Sequence, residues 1–231
     1  MSDVQTADPA STITPVTIDV VSDVVCPWCF IGKRRLEKAL ALKPNIPVEV
    51  RFHPYFLNPW VPREGMSRDE YLTTKFGSPQ RYEQIAQRVV MAAKSEGLVY
   101  NPGSLKRQPN TTDCHRLILW ASRIGKALEM KQRLMDLYFT EGGDLTDTDT
   151  LVKAAADVGL NAEETRARLA SDEDVALVSE AAERAKEAGI EGVPFFIFGG
   201  IVAMSGAQAP EDIAKAIDHA AQKVAAGEAA E

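Results

Sequence analysis

Residues 26–29 read Cys-Pro-Trp-Cys, and their flanks restrict what the chain can fold into. Before them, Val16-Thr17-Ile18-Asp19-Val20-Val21 is dense in β-branched residues, the composition of a strand. After them, Phe30, Ile31, Leu36, Leu40 and Leu42 recur at helical spacing, with Lys33, Arg34, Arg35, Glu37 and Lys38 between them. Pro27 suits the first helical position, and Pro44 stops the helix. Val48-Glu49-Val50-Arg51-Phe52 then alternates as a second strand. A strand, a helix and a strand this close together predict a right-handed parallel βαβ unit.

The CxxC motif falls where the first strand meets the helix. Backbone N–H groups at a helix start have no intrahelical partner, and here they point toward the Cys26 sulfur. The helix macrodipole adds positive potential at the same place. Both favour thiolate, so the Cys26 pKa is expected below the free value of about 8.5. Cys29 lies one turn on, within reach of a disulfide with Cys26. The expectation is an exposed, reactive Cys26 and a more buried Cys29 that resolves mixed disulfides. The competing reading is zinc, which takes about four ligands. Cys26, Cys29, Cys114 and His115 are the right types, but neighbours on one helix rarely aim at one metal, so no metal site is expected. An inert packing pair is the other alternative.

From Ser67 to about Gly189 the pattern is helical, with almost no strand signal. Helices are expected at 67–75, 79–96, 112–126, 128–140, 147–158, 161–170 and 172–188. Gly77, Gly97, Gly159 and Gly189 act as stops, and Asp147 and Asn161 as N-caps. Then Phe195-Phe196-Ile197-Phe198, a Gly199-Gly200 turn and Ile201-Val202-Ala203-Met204 predict a hairpin. A last helix follows from Pro210 to about Val224, with Ile213, Ala216, Ile217 and Ala220 on one face. The fold class is α/β. A mixed sheet of about four strands comes from both chain ends, and a helical insertion lies between them. The expected organisation is a flexible tail at 1–12, a discontinuous sheet domain at 13–63 and 172–226, an all-helical insertion at 64–171, and a frayed tail at 227–231. Gly192-Val193-Pro194 precedes the hairpin. It reads either as a strand-opening proline or as a cis bond whose Val193 backbone meets an extended substrate chain.

These motifs together resemble the DsbA family of the thioredoxin superfamily. The run Asp23-Val24-Val25-Cys26-Pro27-Trp28-Cys29-Phe30-Ile31-Gly32-Lys33-Arg34 is similar to the FrnE-like subgroup. So are Phe56-Leu57-Asn58-Pro59 and Pro109-Asn110-Thr111 with His115-Arg116-Leu117. The resemblance covers about residues 16–225. It implies a thioredoxin-like fold with an inserted helical domain, a cis Pro194, and dithiol–disulfide exchange with no bound cofactor. It also implies that Val193 and Pro194 contact substrate. Related enzymes often carry a buried acid six residues before the first cysteine. That position is Val20 here, and Asp19 and Asp23 lie in different phase, so a buried carboxylate relay is not expected. The 2-hydroxychromene-2-carboxylate isomerases and kappa-class glutathione transferases share the fold and use glutathione, typically with Ser in the motif. Intact Cys26 and Cys29 argue against that route.

The expected function is thiol–disulfide oxidoreductase or isomerase on protein substrates. Glutathione is a possible co-substrate, and glutathione or a thioredoxin-type reductant the redox partner. Trp28 is expected part-exposed, as a contact for substrate or a cover for the sulfurs. Pro27 and His115 are supporting residues, His115 reading either as a cleft histidine or, slightly preferred, as an exposed one. Cys114, with Leu117, Ile118, Ala121 and Ile124 on its helical face, reads as a core cysteine. Pro54, Tyr55, Phe56, Pro59 and Trp60 read as core packing or a cleft wall. A non-catalytic binding module or holdase is the third class considered.

Composition narrows the partners. The chain has 231 residues, 45% of them apolar, with 26 Lys plus Arg against 33 Asp plus Glu. A net charge of −7 without a basic run makes nucleic acid an unexpected partner. No stretch approaches the roughly 20 apolar residues of a membrane span. The polar first fifteen residues lack the pattern of a secretory signal, so a cytoplasmic location is expected, where a reducing or repair role fits.

Overall fold

A computed structural model describes residues 14–227. The tails expected at 1–12 and 227–231 lie outside those residues, residue 227 excepted. Strand β1 (Val16–Ser22) runs parallel to β2 (Val48–Pro54), in register from Val16 opposite Val48 to Ser22 opposite Pro54. Helix α1 (Pro27–Leu42) makes the crossover. The two-residue strands β3 (Met66–Ser67) and β4 (Arg107–Gln108) form a separate antiparallel ribbon. Two polar-flanked residues carry no period, so this ribbon is silent in the sequence.

Seven helices follow β2 in the chain before the sheet resumes. They are α2 (Arg68–Phe76), α3 (Pro79–Ser95), α4 (Thr112–Ser122), α5 (Ala127–Phe139), α6 (Thr148–Asp157), α7 (Ala162–Leu169) and α8 (Val175–Glu187). Strand β5 (Phe195–Phe198) pairs antiparallel with β1, and β6 (Val202–Ser205) with β5. Helix α9 (Pro210–Ala225) closes the fold. The sheet order is β2-β1-β5-β6. This is an α/β, DsbA-like thioredoxin fold with a helical insertion.

Three boundaries differ from expectation for local reasons. Helix α4 ends at Ser122, before Gly125 takes φ +71°, which leaves Ile124 exposed rather than on the Cys114 face. Helix α8 begins at Val175 because Asp174 sits at φ +60°, its carboxylate accepting from Trp120 Nε1 at 2.8 Å. In the hairpin, Phe198 pairs with Val202, so Ile201 belongs to the turn after Gly199 and Gly200, both at positive φ.

Two cores hold the layers. Alternate residues Val16, Ile18 and Val20 of β1, with Phe196 and Phe198 of β5, bury against Leu36 of α1 and Ile213, Ala216, Ile217 and Ala220 of α9. Each large apolar side chain buried there contributes about 1.5–3 kcal/mol. The second core joins α1 to the inserted helices. The Phe30 ring stacks on Phe139 of α5 at 5.1 Å, and Lys33 Nζ donates to Gln132 Oε1 at 2.8 Å. That seam places α5 beside the CxxC motif. Among the described residues, no helix is long and apolar enough to cross a membrane.

Candidate active site

Strand β1 ends at Ser22, and Asp23-Val24-Val25 turn the chain into α1. Cys26 is the N-cap residue (φ −89°, ψ 112°) and Pro27 the first helical residue. The Pro ring presets φ for that position and lacks an N–H that would otherwise be orphaned. The Cys29 and Phe30 amides donate to the Cys26 carbonyl at 3.0 and 3.2 Å. Opposite stands the loop before β5. The Val193–Pro194 bond is cis, and the Cys26 sulfur lies 3.6 Å from the Val193 carbonyl oxygen, to which its thiol donates. The structure thus brings Cys26, Cys29 and Val193 together, with Pro194 packed behind them on Gly32.

That packing depends on Gly32. A Cβ there would lie 2.8 Å from Pro194 Cγ. Gly32→Ala is therefore expected to push the Pro194 loop off α1, costing about 1–3 kcal/mol and slowing disulfide exchange. Chemical denaturation and a turnover assay check it; an unchanged rate would detach the loop from the chemistry.

The Cys26 thiol is held below its ordinary pKa. The chief cause is a hydrogen bond from the Cys29 thiol; burial opposes it, and the Cys29 and Trp28 amides reinforce it. Burial first, then the Cys26 sulfur, push Cys29 well above its ordinary value. Both are free thiols. The expected difference in exposure is not observed. Cys26 is 3% exposed and Cys29 2%, because both lie in the core that α1 shares with the inserted helices, with Val193 packed against it; Trp28 between them is 40% exposed. The two thiols differ in hydrogen bonding and charge rather than in accessibility. Iodoacetamide should alkylate Cys26 with a midpoint below that of free cysteine. A midpoint at or above it would contradict the hydrogen-bonded thiolate. Because the shift is downward, it stabilises the reduced fold fully above the free-thiol pKa, and the gain is lost as pH falls through the native pKa.

Beside the sulfur of Cys26 opens a cavity of about 320 Å³. Trp28, Leu57, Tyr71, Phe76 and Val193 line it, with Arg68 and Lys75 the charged groups and no carboxylate. The aromatic and proline cluster after β2 divides around it. Trp60 stacks on Tyr71 at 5.7 Å, whereas Tyr55 packs with Val21, Ala185 and Ile190.

Beneath the cysteines the structure corrects two expectations. Asp23 is buried at 1% exposure, with Leu57 N–H donating to Oδ2 at 2.9 Å and His115 Nε2 3.4 Å from Oδ1. A carboxylate does lie under the pair, delivered by the β1–α1 turn instead of by position 20. Burial would raise its pKa, but the His115 imidazole, the Leu57 amide and Lys131 outweigh it and hold the carboxyl below its usual value. His115 is not an exposed helix residue. It is 4% exposed, its ring edge on Phe56 at 5.7 Å, and burial holds it below its ordinary value against the pull of Asp23. Cys114 is wholly buried, and burial raises its thiol. Among the described residues, no three of His, Cys, Asp and Glu are grouped to hold a metal, so Cys26, Cys29, Cys114 and His115 do not assemble a zinc site.

Lys131 on α5 also belongs to the site, though no motif in the sequence marks it. It is 1% exposed and faces the same cluster. A signal existed: Lys131, Leu134, Met135 and Tyr138 share one helical face, and the last three are buried.

The fold and this site define a class, the thioredoxin-type dithiol proteins with a helical insertion. The chain belongs to the DSBA-like thioredoxin domain family, whose model matches residues 17–218. It is similar to the probable DsbA oxidoreductase SCO1869 from Streptomyces coelicolor, at 31% identity and a TM-score of 0.80, covering 89% of each chain. It shares its fold with a 2-hydroxychromene-2-carboxylate isomerase, at 15% identity and a TM-score of 0.68, covering 91% of this chain and 98% of that one. It does so too with the cytosolic disulfide reductase DsbM from Pseudomonas aeruginosa, at 14% identity, a TM-score of 0.59 and the same coverages. DsbM is also solved with GSH.

Proposed function

We propose that the chain exchanges disulfides with protein substrates through Cys26 and Cys29, with no bound cofactor. The observation that carries this reading is the Cys26 sulfur at the start of α1, 3.6 Å from the Val193 carbonyl oxygen, with Cys29 one turn on in the same helix. Thiol–disulfide oxidoreductase is the family's chemistry; protein clients and isomerisation are the further step proposed here. In the reducing direction, the Cys26 thiolate attacks a substrate disulfide and expels one substrate thiolate. Cys29 then attacks the Cys26 sulfur, closes the enzyme disulfide and releases the second substrate thiol. If another thiolate of the substrate instead attacks the substrate sulfur of the mixed disulfide, a new substrate disulfide forms, Cys26 leaves as the thiolate, and the result is isomerisation.

Trp28 and the Val193–Pro194 backbone flank the sulfur, and these are the surfaces an extended client would meet. Pro27 and His115 act through the helix start and Asp23. The cavity with Arg68 and Lys75 suits an anionic thiol, so glutathione fits as co-substrate or reductant, with a thioredoxin-type protein as the other reductant class. A glutathione-dependent isomerase would need no cysteine pair, whereas here Cys26 and Cys29 stand one turn apart at one helix start. The cytoplasm, where thiols are kept reduced, is the proposed location, with repair of wrong disulfides the proposed direction. The motifs around Cys26 and His115 support the FrnE-like subgroup.

The test is reduction of insulin disulfides with a dithiol as electron donor. A rate above background supports the reading, and a rate equal to background refutes it.

A further inference from the structure

The exchange steps above leave one buried charge without a task. Lys131 is 1% exposed, and its Nζ meets no hydrogen-bond acceptor of the protein. It lies over the face of the Phe52 ring on β2, 5.4 Å from its centroid. A desolvated ammonium without an acceptor disfavours folding, so packing alone does not account for it. Its position is set by the α1–α5 seam, where Phe30 meets Phe139 and Lys33 meets Gln132. The titratable groups around it are Cys29, Asp23, Cys26 and Cys114, with His115 on α4, and the three cysteines share one core cluster with Met130, Leu134 and Met135, the neighbours of Lys131 on α5.

Cys29 is the group that needs a cation. To resolve a mixed disulfide it must become a thiolate in a buried place where Asp23 is already anionic. Once Cys26 is bonded to substrate, its own charge is gone. The charge that then favours the Cys29 thiolate is Lys131, beside a hydrogen bond from the Asp23 backbone.

We propose that Lys131, supplied by the inserted helices, is the positioning residue that holds the negative charge on the Cys29 sulfur as it resolves the mixed disulfide. This rests on the exchange reading above. In the step, the Cys29 S–H bond breaks and the Cys29–Cys26 S–S bond forms. The Cys26–substrate S–S bond also breaks, and its electron pair leaves on the substrate sulfur, which ends with the proton that Cys29 gave up. Lys131 carries the charge between those events and is not consumed.

The reduced protein and its Lys131→Met and Lys131→Gln variants are mixed with Ellman's reagent, which releases one coloured thiolate on attack and a second on resolution. The first phase is expected to stay within about twofold of wild type and the second to slow about tenfold, the effect of roughly one pKa unit on the thiolate population. The deficit should shrink as pH rises, because hydroxide then ionises Cys29 without help. The Met variant should melt no lower than wild type, since an apolar chain of similar length replaces a buried charge. A second phase at the wild-type rate in either variant overturns the proposal, and so does equal slowing of both phases with a lowered Tm. Should neither variant fold, the ε-carbon resonance of Lys131 in the wild type decides: it must move between the dithiol and disulfide forms, and constancy overturns the proposal. A wild type without a first phase would instead sink the exchange reading itself.

Discussion

Cys26→Ser is expected to bring insulin reduction down to the uncatalysed rate, and Cys29→Ser to accumulate mixed disulfides with the substrate. The asymmetry follows from the site. Serine at 26 removes the one sulfur whose thiolate is favoured, that receives the Cys29 hydrogen bond and that lies 3.6 Å from the Val193 carbonyl oxygen. Cys29 cannot take over, because burial and its neighbour push its thiol well above the ordinary value. Serine at 29 leaves the first attack possible and removes the second. Trapped adducts should therefore appear on non-reducing gels and vanish with reductant. Residual turnover in Cys26→Ser, or no trapped species in Cys29→Ser, would reverse or abolish the assigned roles.

Arg116→Ala should be the most destabilising single change outside the cysteine pair, at about 3–5 kcal/mol, or roughly 6–20 °C in Tm. Arg116 is fully buried on α4. Its Nε donates to the Glu173 carbonyl at 2.7 Å, and its terminal nitrogens to the Ser171 carbonyl at 2.8 Å, the Arg168 carbonyl and Asp113 Oδ1. These carbonyls end α7 and lead to α8, and end-of-helix carbonyls have no partner within the helix. Alanine would leave them buried and unpaired, beside a void against the Trp120 ring, whose centroid lies 4.9 Å from the guanidinium carbon. Denaturant unfolding measures the cost, and exchange activity per folded molecule should be unaffected. A loss below about 1 kcal/mol would mean that the carbonyls find other donors.

Both expectations concern contacts whose visibility in the sequence differs. The CxxC site is written in consecutive residues: strand composition before it, Pro27 at the helix start, and a helical period after it. The parallel βαβ unit and the hairpin are read from local patterns, because crossovers and hairpin turns have few solutions, whereas the strand order β2-β1-β5-β6 is set by packing and the cis bond was implied only by the family resemblance. Arg116 stands in the His115-Arg116-Leu117 motif, but no local pattern says which carbonyls it would cap. His115 reads equally well on an exposed or a buried face. The two-residue ribbon of β3 and β4 carries no pattern at all.

From the chain alone came the fold class and a cysteine pair at a helix start, since helix starts, periodicity and turn residues act over a few neighbours. Which charges are buried under that pair came only from docking α4 and α5 against α1 and β2. Asp23, His115 and Lys131 are far apart in sequence, and a charged side chain becomes costly and chemically potent only when distant elements remove its water.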